Sequence, residues 1–528
     1  MSAALPPKEL SPNNPITDSS VRETLEPLGL SVPEKEEKHY TTFLKGIWEI
    51  WDRVEQMDDY VPIVDEERFP RENVHRPTGK DNPANAWAWK ATIRDQQKNE
   101  GLLKGKTVAL KDNVAVAGVP ALVGTNAVKD WVPNVDASVV TRILEAGGTV
   151  LGKAVCENLS LWGLSDSSAT GPISNVYADG YSAGGSSSGS GVLVARGDVD
   201  LAIGGDQGGS IRIPASKNGI VGMKPTHGLV PYTGVVSLEP TLDHVGPMSR
   251  TVLDNAKFLQ AIAGADNIDD RQVAGCPLPG SVPDYSALAA KGVKGLRIGL
   301  LTEGFAAAVH DPKVSELVRK AAARLEALGA VVSTVSVPMH KNGPDLWAVI
   351  GRLGASQVAL GRSTGRRHLA LNDFTAKSVP ITQESFNDMF VSSKNTIVNG
   401  EYGWKHMNPT LYGKATNLVR KLRDAYDGVM DEVDILLMPT LPNLPPKHIE
   451  EGSELDEVMK NCTGVTLNTA PFNLTGHPAL SFPVGMLAND AGVRLPVGMQ
   501  LVGRRWDEGT LYAAAYAWEQ ANDWKEFS

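Results

Sequence analysis

The feature that most constrains this chain is a repeating exchange between short apolar runs and helical segments, beginning near Leu103. TVALKDNV, LAIGGD, LRIGLLT, VVSTVSV, ILLMPT, ALSFPVG and GMQLVG are short and apolar enough to be strands covered on both faces. Between them lie stretches with helical spacing. Val139 to Glu145 is closed by Gly147-Gly148, and Val314, Leu317, Val318, Ala321, Leu325 and Leu328 stop at Gly329; glycine ends helices because it takes left-handed backbone freely. Strands alternating with helices predict an α/β architecture, a mixed central sheet flanked by helices.

Two regions fall outside that rhythm. The first 30 or so residues carry five prolines among polar residues and read as a loose arm. After them Phe43, Ile47, Ile50, Trp51 and Val54 form an amphipathic stripe at helical spacing. It serves either to pack on the chain's own body or also to build a subunit interface. A polar, proline-marked stretch follows, so the expected boundaries are 1–85 for the arm and helical region and 86–528 for the α/β domain. The less regular part, about 305–424, reads as a helical insertion.

Charge and composition exclude several classes. Lys plus Arg total 51 against 61 acids, a net charge of -10, which is the wrong sign for nucleic acid. No run reaches the roughly 18 apolar residues of a membrane span. Cys156, Cys276 and Cys462 are scattered without CxxC spacing, which fits a reducing, cytoplasmic setting. The first residues lack the basic-then-apolar order of a signal peptide, and the last four are no recognised address. No HExxH or comparable cluster predicts a metal, and no cofactor is expected.

The chemistry concentrates in two glycine turns. GGSSSGSG (184–191) alone has the composition of a flexible linker. Here, however, it leads into VLVARG, the strand LAIGGD and a second turn, QGGSIRIP, a setting too apolar for a linker. Glycine lets backbone approach a ligand, and its free N–H groups can stabilise an oxyanion. A serine nucleophile needs a base, and the ten histidines sit in no triad context. Lys111, in the apolar strand VALKDN, would be desolvated toward its neutral, basic form. Asp112 would face the other side of the strand.

From VALKDN through GGSSSGSG and GGDQGGSIRIP to GMKPTHGLVPYTG, the sequence resembles the amidase signature family. DILLMPT, NTAPFNLTGHPALSFPVG and LPVGMQLVG extend the resemblance over roughly residues 85 to 520. Ser186 follows Lys111 by 75 residues and precedes Ser210 by 24, matching the family's lysine, serine after a cis peptide bond, and nucleophilic serine. The resemblance implies that Ser210 attacks, Ser186 relays the proton and Lys111 is the base. The N–H groups of Gln207, Gly208, Gly209 and Ser210 would form the oxyanion hole. Ser187 and Asp206 would hold the network in register, and Arg212 would be structural. One departure stands out: Ser188 replaces a family glycine, and its hydroxyl is expected to point away from the relay.

The substrate implied is a small aliphatic or aromatic carboxamide, hydrolysed without a cofactor through an acyl-enzyme. Some similar enzymes also cleave carbamates such as ethyl carbamate, so urethanase activity stays open. Stand-alone amidases of this kind are often homodimers with a helical N-terminal region. The main alternative is the amidase-like component of a tRNA-dependent amidotransferase. A lesser one reads Gly185 to Gly189 as the G-x-S-x-G elbow of an α/β-hydrolase esterase, with Ser187 as nucleophile and His477 as base. A thiol enzyme built on Cys156-Glu157 is weaker still, because a lone cysteine in an apolar segment is usually core. Trp162, Met389, Phe390 and Tyr412 are candidates for the pocket wall.

Overall fold

The apolar runs are strands, but they account for only part of the sheet. The computed structural model describes residues 10–450 and 452–527. Its strands are β1 (Glu72–His75), β2 (Trp87–Ile93), β3 (Thr107–Lys111), β4 (Thr149–Ala154), β5 (Ser174–Asn175), β6 (Ala178–Ser182) and β7 (Leu201–Asp206). They continue as β8 (Val221–Lys224), β9 (His244–Ser249), β10 (Arg297–Leu301), β11 (Val331–Val335), β12 (Ile435–Pro439), β13 (Ala479–Ala488) and β14 (Arg494–Gly503). Strands β5 and β6 pair with each other, and the other twelve form one sheet in the order β1-β2-β4-β3-β7-β9-β8-β13-β14-β12-β10-β11.

The sheet is mixed for a reason visible in its connections. Two parallel clusters, β4-β3-β7 and β12-β10-β11, are joined by antiparallel β9, β8, β13 and β14. Within each cluster a helix makes the crossover: Ser138–Glu145 leads from β3 to β4, and Pro312–Ala327 from β10 to β11, as parallel neighbours require. The parallel pairing of β3 with β7, Val108 beside Leu201 and Leu110 beside Ile203, brings Lys111 and the turn after Asp206 to the same end of the sheet. That placement founds the site.

The chain divides into two compact units, ending and starting at Pro62 and Ile63, earlier than the boundary at 85 read from the sequence. The polar stretch from 65 to 85 contains the edge strand β1, antiparallel to β2. It is polar because an edge strand faces water. In the N-terminal unit, helix Glu34–Glu55 carries the expected stripe, yet Phe43, Trp51 and Val54 remain exposed; packing within that unit leaves them uncovered. The region read as a helical insertion begins with sheet structure. Helix Pro312–Ala327 and strand β11 belong to the main sheet, and the helix-only stretch runs from Gly343 to Met430.

Candidate active site

Lys111 ends β3 with its side chain fully buried, and its Nζ donates to Ser186 Oγ at 2.8 Å. Burial pulls the lysine pKa down to about 8, because desolvation penalises the ammonium. Asp112 does face elsewhere: its carboxylate accepts the N–H groups of Leu122 and Val123 and lies 3.5 Å from Lys153. The Gly185–Ser186 peptide bond is cis. Gly185 is required by space alone, since a Cβ there would lie 2.1 Å from the Leu164 carbonyl oxygen.

Ser187 and Ser190 fix the first turn to β7. Ser187 Oγ donates to the Gly205 carbonyl and accepts its N–H, both at 3.2 Å, while Ser190 Oγ donates to Ile203 O. Ser188 turns away from the lysine and donates to Glu157 Oε1 at 2.6 Å. The other Glu157 oxygen accepts the Ser167 N–H and hydroxyl. Burial raises the Glu157 carboxyl to about 7 despite these bonds.

The second turn is held by its carbonyls, which leaves its amides free. Trp347 Nε1 donates to Gln207 O at 2.7 Å, and Thr469 Oγ1 donates to Gly208 O at 2.6 Å. Gly209 has φ 141°, and a Cβ there would fall 2.5 Å from Thr469 Oγ1, so only glycine fits. Among the described residues none of the N–H groups of Gln207, Gly208, Gly209 and Ser210 has a hydrogen-bond partner. Ser210 lines a cavity of about 190 Å³ with Gln207 and Gly208, and its hydroxyl makes no hydrogen bond among the described residues.

Arg212 and Asp206 underpin that turn. The five guanidinium N–H groups reach both Asp206 oxygens, Thr469 O, Gln500 Oε1 and Asn473 Oδ1 at 2.7 to 3.0 Å. None is left for a ligand. Burial would raise the Asp206 carboxyl, but the Arg212 charge and hydrogen bonds outweigh it and hold the pKa at about 2. Asp206 also accepts from the Ile211 N–H, at the base of the turn.

Of the pocket candidates, only Trp162 lines the cavity. Phe390 packs edge-on against it, ring centroids 5.3 Å apart; Met389 is buried core; and Tyr412 donates to Glu239. Ile213, Leu238, Trp347, Met459 and Val465 supply apolar wall that the sequence reading missed. Thr469, Asn473 and Gln500 were within reach of it, because they stand in the stretches NTAPFNLTGHP and GMQLVG. The rival nucleophiles are not assembled. His477 bonds Thr475 and Asp427 rather than Ser187, and burial pushes the Cys156 thiol well up, away from a reactive thiolate.

The fold and the two serine turns define an amidase signature protein, and the chain belongs to that family: the Amidase family profile matches residues 73–512. It is 40% identical over 452 residues, 84% of each chain, to an enantioselective amidase of Rhodococcus rhodochrous. It is 35% identical to a glutamyl-tRNA(Gln) amidotransferase subunit of Natronomonas pharaonis, covering 82% of this chain and 99% of that one. Among solved structures, the peptide amidase of Stenotrophomonas maltophilia aligns with TM-score 0.65 and 30% identity over 81% of this chain and 85% of its own. A bacterial aryl acylamidase of the amidase signature family aligns with TM-score 0.69 and 26% identity, again over 81% and 85%. No helix among the described residues is long and apolar enough to cross a membrane.

Proposed function

We propose that the protein is a serine amidohydrolase that converts small aliphatic or aromatic carboxamides to acid and ammonia. The observation that carries this reading is the 2.8 Å contact between fully buried Lys111 and Ser186, taken together with a cavity lined by Ser210. Neutral Lys111 accepts the Ser186 proton as Ser186 takes that of Ser210, and Ser210 Oγ attacks the amide carbonyl. The oxyanion forms against the free N–H groups of residues 207 to 210. The relay then runs backward and protonates the leaving nitrogen. Ammonia departs, and water, deprotonated by the same relay, releases the acid from the acyl-enzyme. Ser187, Asp206 and Arg212 hold the two turns in register.

The modest volume and the apolar wall favour a small acyl group. A carbamate presents a similar carbonyl, so ethyl carbamate is a second substrate under this reading. The exposed stripe of Phe43, Trp51 and Val54 supports a homodimer, and the three free cysteines suit a reducing cytoplasm. The 35% identity to a tRNA-dependent amidotransferase component favours a second reading, in which partners take the ammonia. Ammonia release from acetamide, benzamide, glutamine and ethyl carbamate by the purified chain alone separates the two. Turnover by the wild type, lost in Ser210→Ala, is expected; an inactive wild type would point to the amidotransferase component.

A further inference from the structure

Among the polar side chains that line the cavity holding Ser210, three have hydrogen-bonding capacity left unused. Arg352, on helix Gly343–Ala359, lines it, and the guanidinium makes one hydrogen bond, to Thr396 Oγ1. It forms no ion pair with any described carboxylate. Ser160 and Ser392 line the same cavity, and both hydroxyls are buried without a hydrogen-bond partner. The three belong to one wall. Thr396, which accepts from Arg352, donates to the Ser392 carbonyl, and the neighbouring Ser393 hydroxyl donates to Asn158, two residues before Ser160.

A half-buried cation with no counter-ion and two buried, unanswered hydroxyls are costly unless a ligand completes them. Cys462 is the one nearby group among the described residues that could become an anion toward Arg352. Burial pushes its thiol up to about 11, so it stays neutral at ordinary pH. We propose that the preferred amides carry a carboxylate, gripped by the Arg352 guanidinium and the Ser160 and Ser392 hydroxyls while Ser210 attacks the amide carbonyl. The inference rests on the amidase reading above. A carboxylate matches the planar guanidinium fork, which offers parallel N–H donors. Trp347, about one and a half turns earlier on the same helix, holds Gln207 O, so one element sets both the oxyanion turn and the carboxylate grip.

The test compares succinamate, an amide with a terminal carboxylate, with neutral pentanamide of similar length. Wild-type kcat/KM should favour succinamate by about 10- to 100-fold, chiefly through KM. Arg352→Gln should collapse that ratio toward unity, and Arg352→Lys should restore part of it. Ser392→Ala, which removes only an unpartnered hydroxyl, should lower the ratio a few-fold and serves if Arg352→Gln does not fold. Calorimetric binding of succinamate to Ser210→Ala needs no turnover, and it should disappear in the Ser210→Ala/Arg352→Gln double variant. A wild type that prefers pentanamide, or a folded Arg352→Gln with an unchanged ratio, overturns the carboxylate site and leaves the amidase reading standing. Failure to turn over either amide sinks the amidase reading, whereas Arg352-dependent binding of succinamate would still support the site.

Discussion

Lys111 is suited to the proposed acid–base role because its surroundings remove water without supplying a close carboxylate partner. With its pKa lowered to about 8, the amine is largely protonated at pH 6 and largely neutral at pH 9. The kcat/KM profile should therefore rise through about pH 8 and fall on the acid side. Lys111→Ala should lose at least about 10³-fold in kcat; a flat profile together with full activity in that variant would remove lysine from the mechanism. Arg212 acts differently. It is fully bonded and presents nothing to the cavity, so Arg212→Met should appear as lost stability, about 3–5 kcal/mol in denaturant unfolding, because Asp206 is left buried and uncompensated. Ser188 stands where the family resemblance expects glycine, and its hydroxyl is directed to Glu157 rather than to Lys111. Lys111 and the two glycine–serine turns were legible because a lysine in an apolar strand and a glycine-rich turn have local sequence signatures, whereas the choice of Ser186 and Ser210 within those turns came from the family resemblance. Arg352 and Trp347 had none, since a side chain on a helix of the insertion reveals its target only when the chain is folded.

At the scale of elements, the site depends on two turns held by different parts of the chain, the first by β7 and the second by Trp347 and Thr469. The first is packed so closely at Gly185 that Gly185→Ala should abolish soluble expression or activity. The second is held by Trp347 and Thr469 through its carbonyls. Trp347→Phe keeps an aromatic ring but deletes the indole N–H that holds Gln207 O, so kcat should fall roughly ten-fold; an unaltered kcat would show that the turn holds its shape alone. β7, all six of whose residues are buried, was readable from its apolar run. Strands β1, β2, β8 and β9 were not. β1 is a polar edge, β2 mixes Trp89 and Lys90 at partly covered positions, and the short β8 and β9 carry Gly222, Gly246 and Pro247, residues that ordinarily mark turns.

For the whole molecule, the mixed sheet reconciles two demands. Parallel strands gather Lys111 and the Ser210 turn at one sheet end, and antiparallel β14 supplies Gln500 to anchor Arg212 from a distant part of the chain. The N-terminal unit follows its own rule, an amphipathic helix whose apolar stripe is left exposed. Phe43→Asp combined with Trp51→Glu should halve the mass seen by light scattering while amide turnover persists; an unchanged mass would dissociate that stripe from assembly. Covalent catalysis by Ser210 is tested by peptide-resolved mass spectrometry after rapid acid quench of the enzyme with a slowly hydrolysed amide. The acyl mass should sit on the peptide containing Ser210 and vanish in Ser210→Ala. An adduct on Ser186, Ser187 or Cys156, or continued turnover by Ser210→Ala, would contradict the mechanism.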